Sequence, residues 1–157
     1  MHDCALFTDQ TGNERLINKL NVNLRETLSK GRVKRSNPAG CGSISLHLFD
    51  PSVLEGPLHH DEAQAVVAAP AYWSFCWASG QVLAQFIIEN PEYVVDKTIV
   101  DFGSGSGIVA ISAALSGARK VYACDIDHHA LDAISANAET NKVHIVTCKN
   151  IEGIDED

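Results

Sequence analysis

The sequence predicts an α/β fold built on a parallel sheet. Three observations carry that expectation: strand and helix signals alternate from Thr98 onward, a glycine-rich turn joins a buried strand to a helix, and an acidic residue closes the next strand. Thr98-Ile99-Val100 leads as a strand into the glycines, and Ile108 to Leu115 follows as an apolar helix ended by Gly117. Lys120 to Cys124 reads as a strand, Ala130 to Thr140 as a helix and Val143 to Cys148 as a strand. The order β-α-β-α-β places helices on the faces of parallel strands.

The elements before this unit are read in turn. From Gln10 to Lys30, Leu16, Ile17, Leu20, Leu24 and Leu28 recur at helical spacing with charges between them, which predicts one amphipathic helix whose stripe needs a partner. Gly31 to Gly42, with Pro38, Gly40 and Gly42, reads as a linker. Ser43 to Phe49 alternates polar and apolar residues and predicts a short half-buried strand closed by Asp50-Pro51. Residues 52–70 are polar-rich and read as a loop. From Ser79 to Asn90, Val82, Leu83, Phe86 and Ile87 line one helical face, and Pro91 stops the helix. The organisation expected is a basic helical arm and linker over 1–42 and the main domain over 43–157.

Composition narrows the function classes. The 157 residues are 45% hydrophobic with a formal charge of −8, ordinary for about one domain. Residues 1–36 carry +3 and the remainder −11, so the basic arm reads as a solvated face or as an anchor for an acidic partner. The acidic body would repel phosphates, and no nucleic-acid partner is expected. No apolar run reaches the roughly 18 residues of a bilayer span, and Met1-His2-Asp3-Cys4 lacks the order of a secretory signal, so no membrane partner is expected either. Cys4, Cys41, Cys76, Cys124 and Cys148 offer no paired framework and no C-x-x-C knuckle, which fits a reducing, cytoplasmic compartment. In a eukaryote the mitochondrial matrix is the alternative, although Asp3, Asp9, Glu14 and Glu26 make residues 1–30 a poor transit peptide.

The most informative segment is Asp101-Phe102-Gly103-Ser104-Gly105-Ser106-Gly107. Glycines at every second position let the chain turn sharply and let a ligand approach where a Cβ would clash. A dinucleotide fingerprint would require glycine where Ile108 stands, and a phosphate loop would require Gly-Lys-Ser/Thr, which is absent. The loop opens instead with an acid, and a cationic ligand group met directly or through water would explain Asp101. Asp125 ends the adjacent strand, where an acid can accept both hydroxyls of a ribose. Asp127 reads as the N-cap of the following helix.

Together these residues resemble the S-adenosylmethionine-dependent methyltransferases built on a seven-stranded Rossmann-like sheet. Pro70 to Gln81, with Ala84, is similar to the P-[FY]-W-x-x-x-W-x-x-G-Q-x-L-A pattern of the electron transfer flavoprotein beta-subunit lysine methyltransferases, a group with relatives that methylate ribosomal proteins. Asp125-Ile126-Asp127, Asn137-Ala138 and Asn141 look like the same group, and so does the strand Ile44 to Phe49. The resemblance covers about Ser43 to Cys148. It implies an S-adenosylmethionine-dependent protein N-methyltransferase acting on lysine, with the electron transfer flavoprotein beta subunit or a ribosomal protein as acceptor. It further implies that Asp101, Gly103, Ser104, Gly105 and Gly107 hold the methionine part and Asp125 the ribose. Trp77 and Gly80 would lie near the methionine end, and Ile126 against the adenine. The fold class is then a class I methyltransferase sheet, truncated after its third strand, with an N-terminal helical and β extension. In the family's strand order, 3-2-1-4-5-7-6, the strand around Val100 is interior and would here have an open edge. The segment that closes the methyl-transfer pocket lies beyond the resemblance, so no catalytic residue is carried over and a chain inactive alone is expected.

Two other readings stay beside this one: a non-catalytic cofactor-binding or scaffold module, and a small-molecule methyltransferase. Trp73 and Trp77 also read as helix-start packing. His59-His60-Asp61-Glu62 reads as surface loop rather than metal site, and His128-His129 as exposed first-turn residues. Cys76 and Cys124 read as small core residues.

Overall fold

The computed structural model describes residues 7–154. In chain order they form α1 (Phe7–Arg25), β1 (Val33–Ser36), β2 (Leu46–Phe49), α2 (His60–Ala68), α3 (Ala78–Glu89), β3 (Thr98–Phe102), α4 (Ile108–Leu115), β4 (Lys120–Cys124), α5 (His128–Thr140) and β5 (Val146–Cys148). β3, β4 and β5 make a parallel sheet in that order, with Val100 opposite Tyr122 and Tyr122 opposite Val146. This is the 3-2-1 side of the expected α/β sheet. β1 and β2 form a separate antiparallel pair.

α4 and β4 occupy the ranges expected, and α3 differs by one residue at each end. Gly117, at φ +92°, follows the end of α4 as a left-handed stop. Other expectations change. The helix read from Gln10 to Lys30 ends at Arg25, leaving Leu28 in the turns that follow. The segment read as a linker contains β1, a strand whose one apolar residue, Val33, is buried while its backbone pairs with β2. The polar stretch read as loop contains α2, whose Asp61 and Glu62 favour the positive end of the helix. That helix also lifts His59 to Glu62 out of the loop reading; Glu62 accepts from the Ser29 backbone N–H at 2.9 Å.

The stripe of α1 finds its partner on α5. Leu20 and Leu24 pack with Trp73 and with Ala130, Ala133 and Ala136, whose small side chains let the helices approach. Trp73 therefore belongs to the core between α1 and α5. On the other side, Ile87 of α3, Ala110 and Ala113 of α4, and Val121 and Ala123 of β4 join Ile134 in a second core. Of the apolar face of α3, Val82, Leu83 and Phe86 stay exposed. They share that exposure with Val100 and Phe102 of β3, which has a sheet neighbour on one side only.

The cysteines depart from expectation as well. Cys124 and Cys148 stand opposite each other in the β4–β5 register and form a disulfide, a pairing that appears only when one β-α-β crossover brings the strand ends together. Cys41 and Cys76 are free thiols.

Basic side chains of the N-terminal segment meet acids of the body. Lys19 Nζ lies 2.6 Å from Asp132, Lys30 3.3 Å from Glu55, Arg32 2.8 Å from Asp50 and Lys34 3.6 Å from Asp50. Hydrogen bonds from Ser52 and then the Arg32 guanidinium hold the Asp50 carboxyl down at about 2. A carboxyl lowered on folding stabilises the fold above its unfolded value near 3.9, and that contribution is lost as pH falls toward the folded value. Asp50→Asn should therefore lower the thermal midpoint at pH 7, with the gap to wild type narrowing steadily between pH 4 and pH 2. A gap constant across that range would contradict the assignment.

Candidate cofactor site

β3 and β4 bring the glycine loop and Asp125 together at their C-terminal ends, where ligands of open α/β sheets bind. The carbonyl of Cys124 accepts the N–H of Gly103 at 2.8 Å and of Ser104 at 3.1 Å, so the loop leaves β3 still attached to β4. Asp125 then reaches across: its Oδ2 accepts the Gly105 N–H at 2.9 Å, and its Oδ1 the Asp127 N–H at 3.0 Å. Gly103 and Gly105 have φ of +73° and +55° with open space where a Cβ would point. These conformations favour glycine and leave the loop bare on that side. Gly107 has φ +83° and caps α4; a Cβ there would touch Ile134 of α5 at 3.4 Å.

Asp101 lies deeper than the sequence reading placed it. Its Oδ2 accepts the Ser104 hydroxyl at 2.6 Å and the Ala110 N–H at 3.1 Å, tying the loop to the first turn of α4. Burial pushes its carboxyl above the usual range, the Ser104 and Ala110 hydrogen bonds oppose the rise, and the charge of Asp125 adds to it. The loop therefore concentrates negative charge in a poorly solvated place. A cationic group bound between these acids would be favoured by both, and a phosphate by neither.

The remaining residues sort by position. Gly80 of α3 packs on the residue after the loop, since a Cβ would come within 3.2 Å of Ile108 Cγ2. Trp77 sits just before α3, more than half exposed; its indole N–H donates to the Tyr72 carbonyl at 3.0 Å and its ring tilts against Tyr72 and Phe75. Ile126 is 82% exposed at the rim beside Asp125. Asp127 is the N-cap expected, accepting the His129 N–H at 2.9 Å. His128 is exposed as expected, whereas His129 is only partly exposed, edge-on to Trp73 and 3.5 Å from Glu26. Among the described residues, no three of His, Cys, Asp and Glu gather as metal ligands. No described helix is long and apolar enough to cross a membrane.

Sequence reasoning noted Asn137 and Asn141 without assigning them a task. The side-chain carbonyl of Asn137 accepts the His47 N–H at 2.7 Å, and its amide donates to the Ser106 carbonyl at 2.8 Å. Asn141 grips both backbone groups of Ser45 at 2.9 and 2.7 Å. Two amides one helical turn apart thus serve the chain leading into β2 as a neighbouring strand would, and one of them also holds the glycine loop. The visible signal was two amide residues four apart at the end of a helix.

Known proteins resemble parts of this chain. Residues 83–154 match the family model described as Ribosomal protein L11 methyltransferase (PrmA). The electron transfer flavoprotein beta subunit lysine methyltransferase homolog of Caenorhabditis elegans is 37% identical over 108 residues, 69% of this chain and 43% of that protein. The Homo sapiens electron transfer flavoprotein beta subunit lysine methyltransferase is 39% identical over 88 residues, 55% of this chain and 34% of that protein. The ribosomal protein L11 methylase of Lactobacillus delbrueckii subsp. bulgaricus, a crystal structure, aligns with a TM-score of 0.45 at 34% identity over 52% of this chain and 43% of that one. The parallel β3-β4-β5 sheet with a glycine loop at the end of its first strand is a partial Rossmann-like α/β fold. The chain is similar in sequence to the electron transfer flavoprotein beta subunit lysine methyltransferases and, over residues 83–154, to the ribosomal protein L11 methyltransferases, whose cofactor is S-adenosylmethionine. It spans less than half the length of the curated relatives it matches. The residues of the loop fit a cofactor of that kind: bare glycines, paired acids and an exposed apolar rim.

Asn137→Ala should lower the unfolding free energy by about 1–3 kcal/mol, because it strands a buried N–H and a buried carbonyl. Asn141→Ala should cost less, since its surroundings are partly open to water. Urea unfolding of the two variants measures both; a larger loss at Asn141 would reverse the ranking argued here.

Proposed function

We propose that this chain is the cofactor-binding part of an S-adenosylmethionine-dependent protein methyltransferase acting on lysine side chains. The observation that carries the reading is a glycine loop held between Asp101 and Asp125 by their hydrogen bonds to Ser104 and Gly105, a loop that holds no basic residue. A sulfonium and an α-ammonium suit that field; the pyrophosphate of a nicotinamide dinucleotide does not. The bound cofactor would supply a methyl group on a positively charged sulfur. Asp101 and Ser104 would shape the loop around the methionine part, Gly103, Gly105 and Gly107 would let it approach, and Asp125 would take the ribose hydroxyls. In the bound state Asp125 exchanges its hold on Gly105 for those hydroxyls. Trp77 and Gly80 would border the methionine end and Ile126 the adenine.

Lysine as acceptor, and the electron transfer flavoprotein beta subunit or a ribosomal protein as the protein that carries it, rest on the names of the relatives. Such a lysine must lose a proton from a group whose ordinary pKa is near 10.4, and a water-poor pocket favours that loss without a dedicated base. The cytoplasm, or the mitochondrial matrix in a eukaryote, is the compartment proposed with it. Radiolabel transfer from S-adenosylmethionine to protein lysates tests the transfer step.

Calorimetric titration should show S-adenosylmethionine binding and no NADH binding; the reverse pattern would overturn the assignment. Asp125→Ala should weaken the cofactor by about ten- to a hundredfold, the loss of hydrogen bonds to a charged group. Because the Asp101 carboxyl is raised, affinity should fall with decreasing pH at values above those where an ordinary carboxylate titrates. Asp101→Asn should remove that pH dependence.

A further inference from the structure

A second chemistry lies directly behind the loop. Cys124 and Cys148 are the last residues of β4 and β5, paired in register with Cα atoms 4.6 Å apart, and they form a disulfide. Each supplies a carbonyl that presents part of the site. The Cys124 carbonyl accepts the N–H groups of Gly103 and Ser104, and the Cys148 carbonyl accepts the Asp125 N–H at 3.0 Å. β5 has only three residues and is an outer strand of its sheet, so its hold on β4 is short. Cys124 is fully buried and Cys148 partly exposed. Burial pushes the Cys41 and Cys76 thiols up, which makes them weak competitors for thiol exchange.

We propose that Cys124 and Cys148 form a reversible thiol–disulfide modification site that sets the order of the glycine loop and Asp125. The co-reactant is a low-molecular-weight disulfide of the glutathione class. The Cys148 thiolate attacks one of its sulfurs, giving a mixed disulfide and releasing one thiolate. The Cys124 thiol then gives up its proton to that thiolate and attacks the Cys148 sulfur, closing the protein disulfide and expelling the second small thiol. Two protein thiols are oxidised while one small disulfide is reduced to two thiols, and excess small thiol drives the reverse. In the closed state the bridge fixes the ends of β4 and β5. In the open state the end of β5 can leave and take with it the acceptor of the Asp125 N–H. The effect on cofactor affinity rests on the function proposed above; the effect on loop order does not.

The test equilibrates the full 157-residue chain in reduced and in oxidised glutathione. Alkylation with peptide mapping, amide hydrogen exchange over 103–107 and 124–127, and titration with S-adenosylmethionine are then read on the same samples. Oxidised samples should show Cys124 linked to Cys148, exchange in both peptides slowed about tenfold, and tighter cofactor binding. Cys148→Ser should give the faster exchange in both mixtures, and Cys76→Ser should respond as wild type does. Alkylatable Cys124 and Cys148 at every glutathione ratio, or equal exchange in the two states, would overturn the proposal. Equal cofactor affinity despite unequal exchange would overturn its link to binding. Redox-dependent exchange with no cofactor binding in either state would support the switch and overturn the cofactor reading instead.

Discussion

The carboxamide of Asn137 holds three parts of the molecule in register. It is fully buried on α5, accepts from β2 through His47 and donates to the glycine loop through Ser106. An amide is suited to this because it accepts and donates from the two ends of one rigid plane. A shorter side chain would leave buried backbone groups unpaired, and an aspartate would bring a charge with no donor to offer Ser106. The same helix turns its alanines toward α1 and Trp73 and its Ile134 toward Gly107. α5 thereby fixes the N-terminal segment, the upstream strand and the loop together, and the site's shape follows from that one helix.

Charge is arranged by the same logic of position. The basic N-terminal segment and the acidic body look like opposites in the sequence, and in the structure they neutralise each other locally at Asp50, Asp132 and Glu55. Most of these pairs are exposed and individually weak. Asp50 differs because Ser52 and Arg32 both serve its buried carboxylate. His47 shows the reverse case: burial, then the charge of Arg35, lowers its ring below the usual histidine range, so the neutral imidazole faces Thr140 at 3.0 Å.

How far the sequence could be read followed from how local each signal is. α4, β4 and α3 were legible because their apolar periods match elements whose faces are decided within the segment. β1 was not legible, since Val33-Lys34-Arg35-Ser36 has one apolar residue and is a strand only because β2 lies beside it. α2 was missed because all its residues are at least partly exposed, so it has no apolar stripe to read; its acidic first turn was the available signal. The glycine loop and Asp125 were legible as a pair, while the bonds of Asp101 to Ser104 and Ala110 were not, since they depend on how the loop turns into α4. The Cys124–Cys148 bridge was illegible for a related reason. A separation of 24 residues says nothing until a crossover of known length sets two strand ends side by side.

The open edge of β3 raises the question of what the site itself depends on. The hydrogen bonds that tie the loop to neighbouring elements on its far side run to β4 and α5: Gly103 and Ser104 to Cys124, Gly105 to Asp125, Ser106 to Asn137. Asp101 is turned toward Ser104 and α4, within its own β-α unit. None of these bonds uses the outer edge of β3. The apolar side chains left exposed, Val82, Leu83, Phe86, Val100 and Phe102, instead belong to the open-edge strand and to α3. That exposure removes no hydrogen-bond partner from the glycine loop. The order of the loop and the pairing of the β3 edge are thus physically separable in this fold.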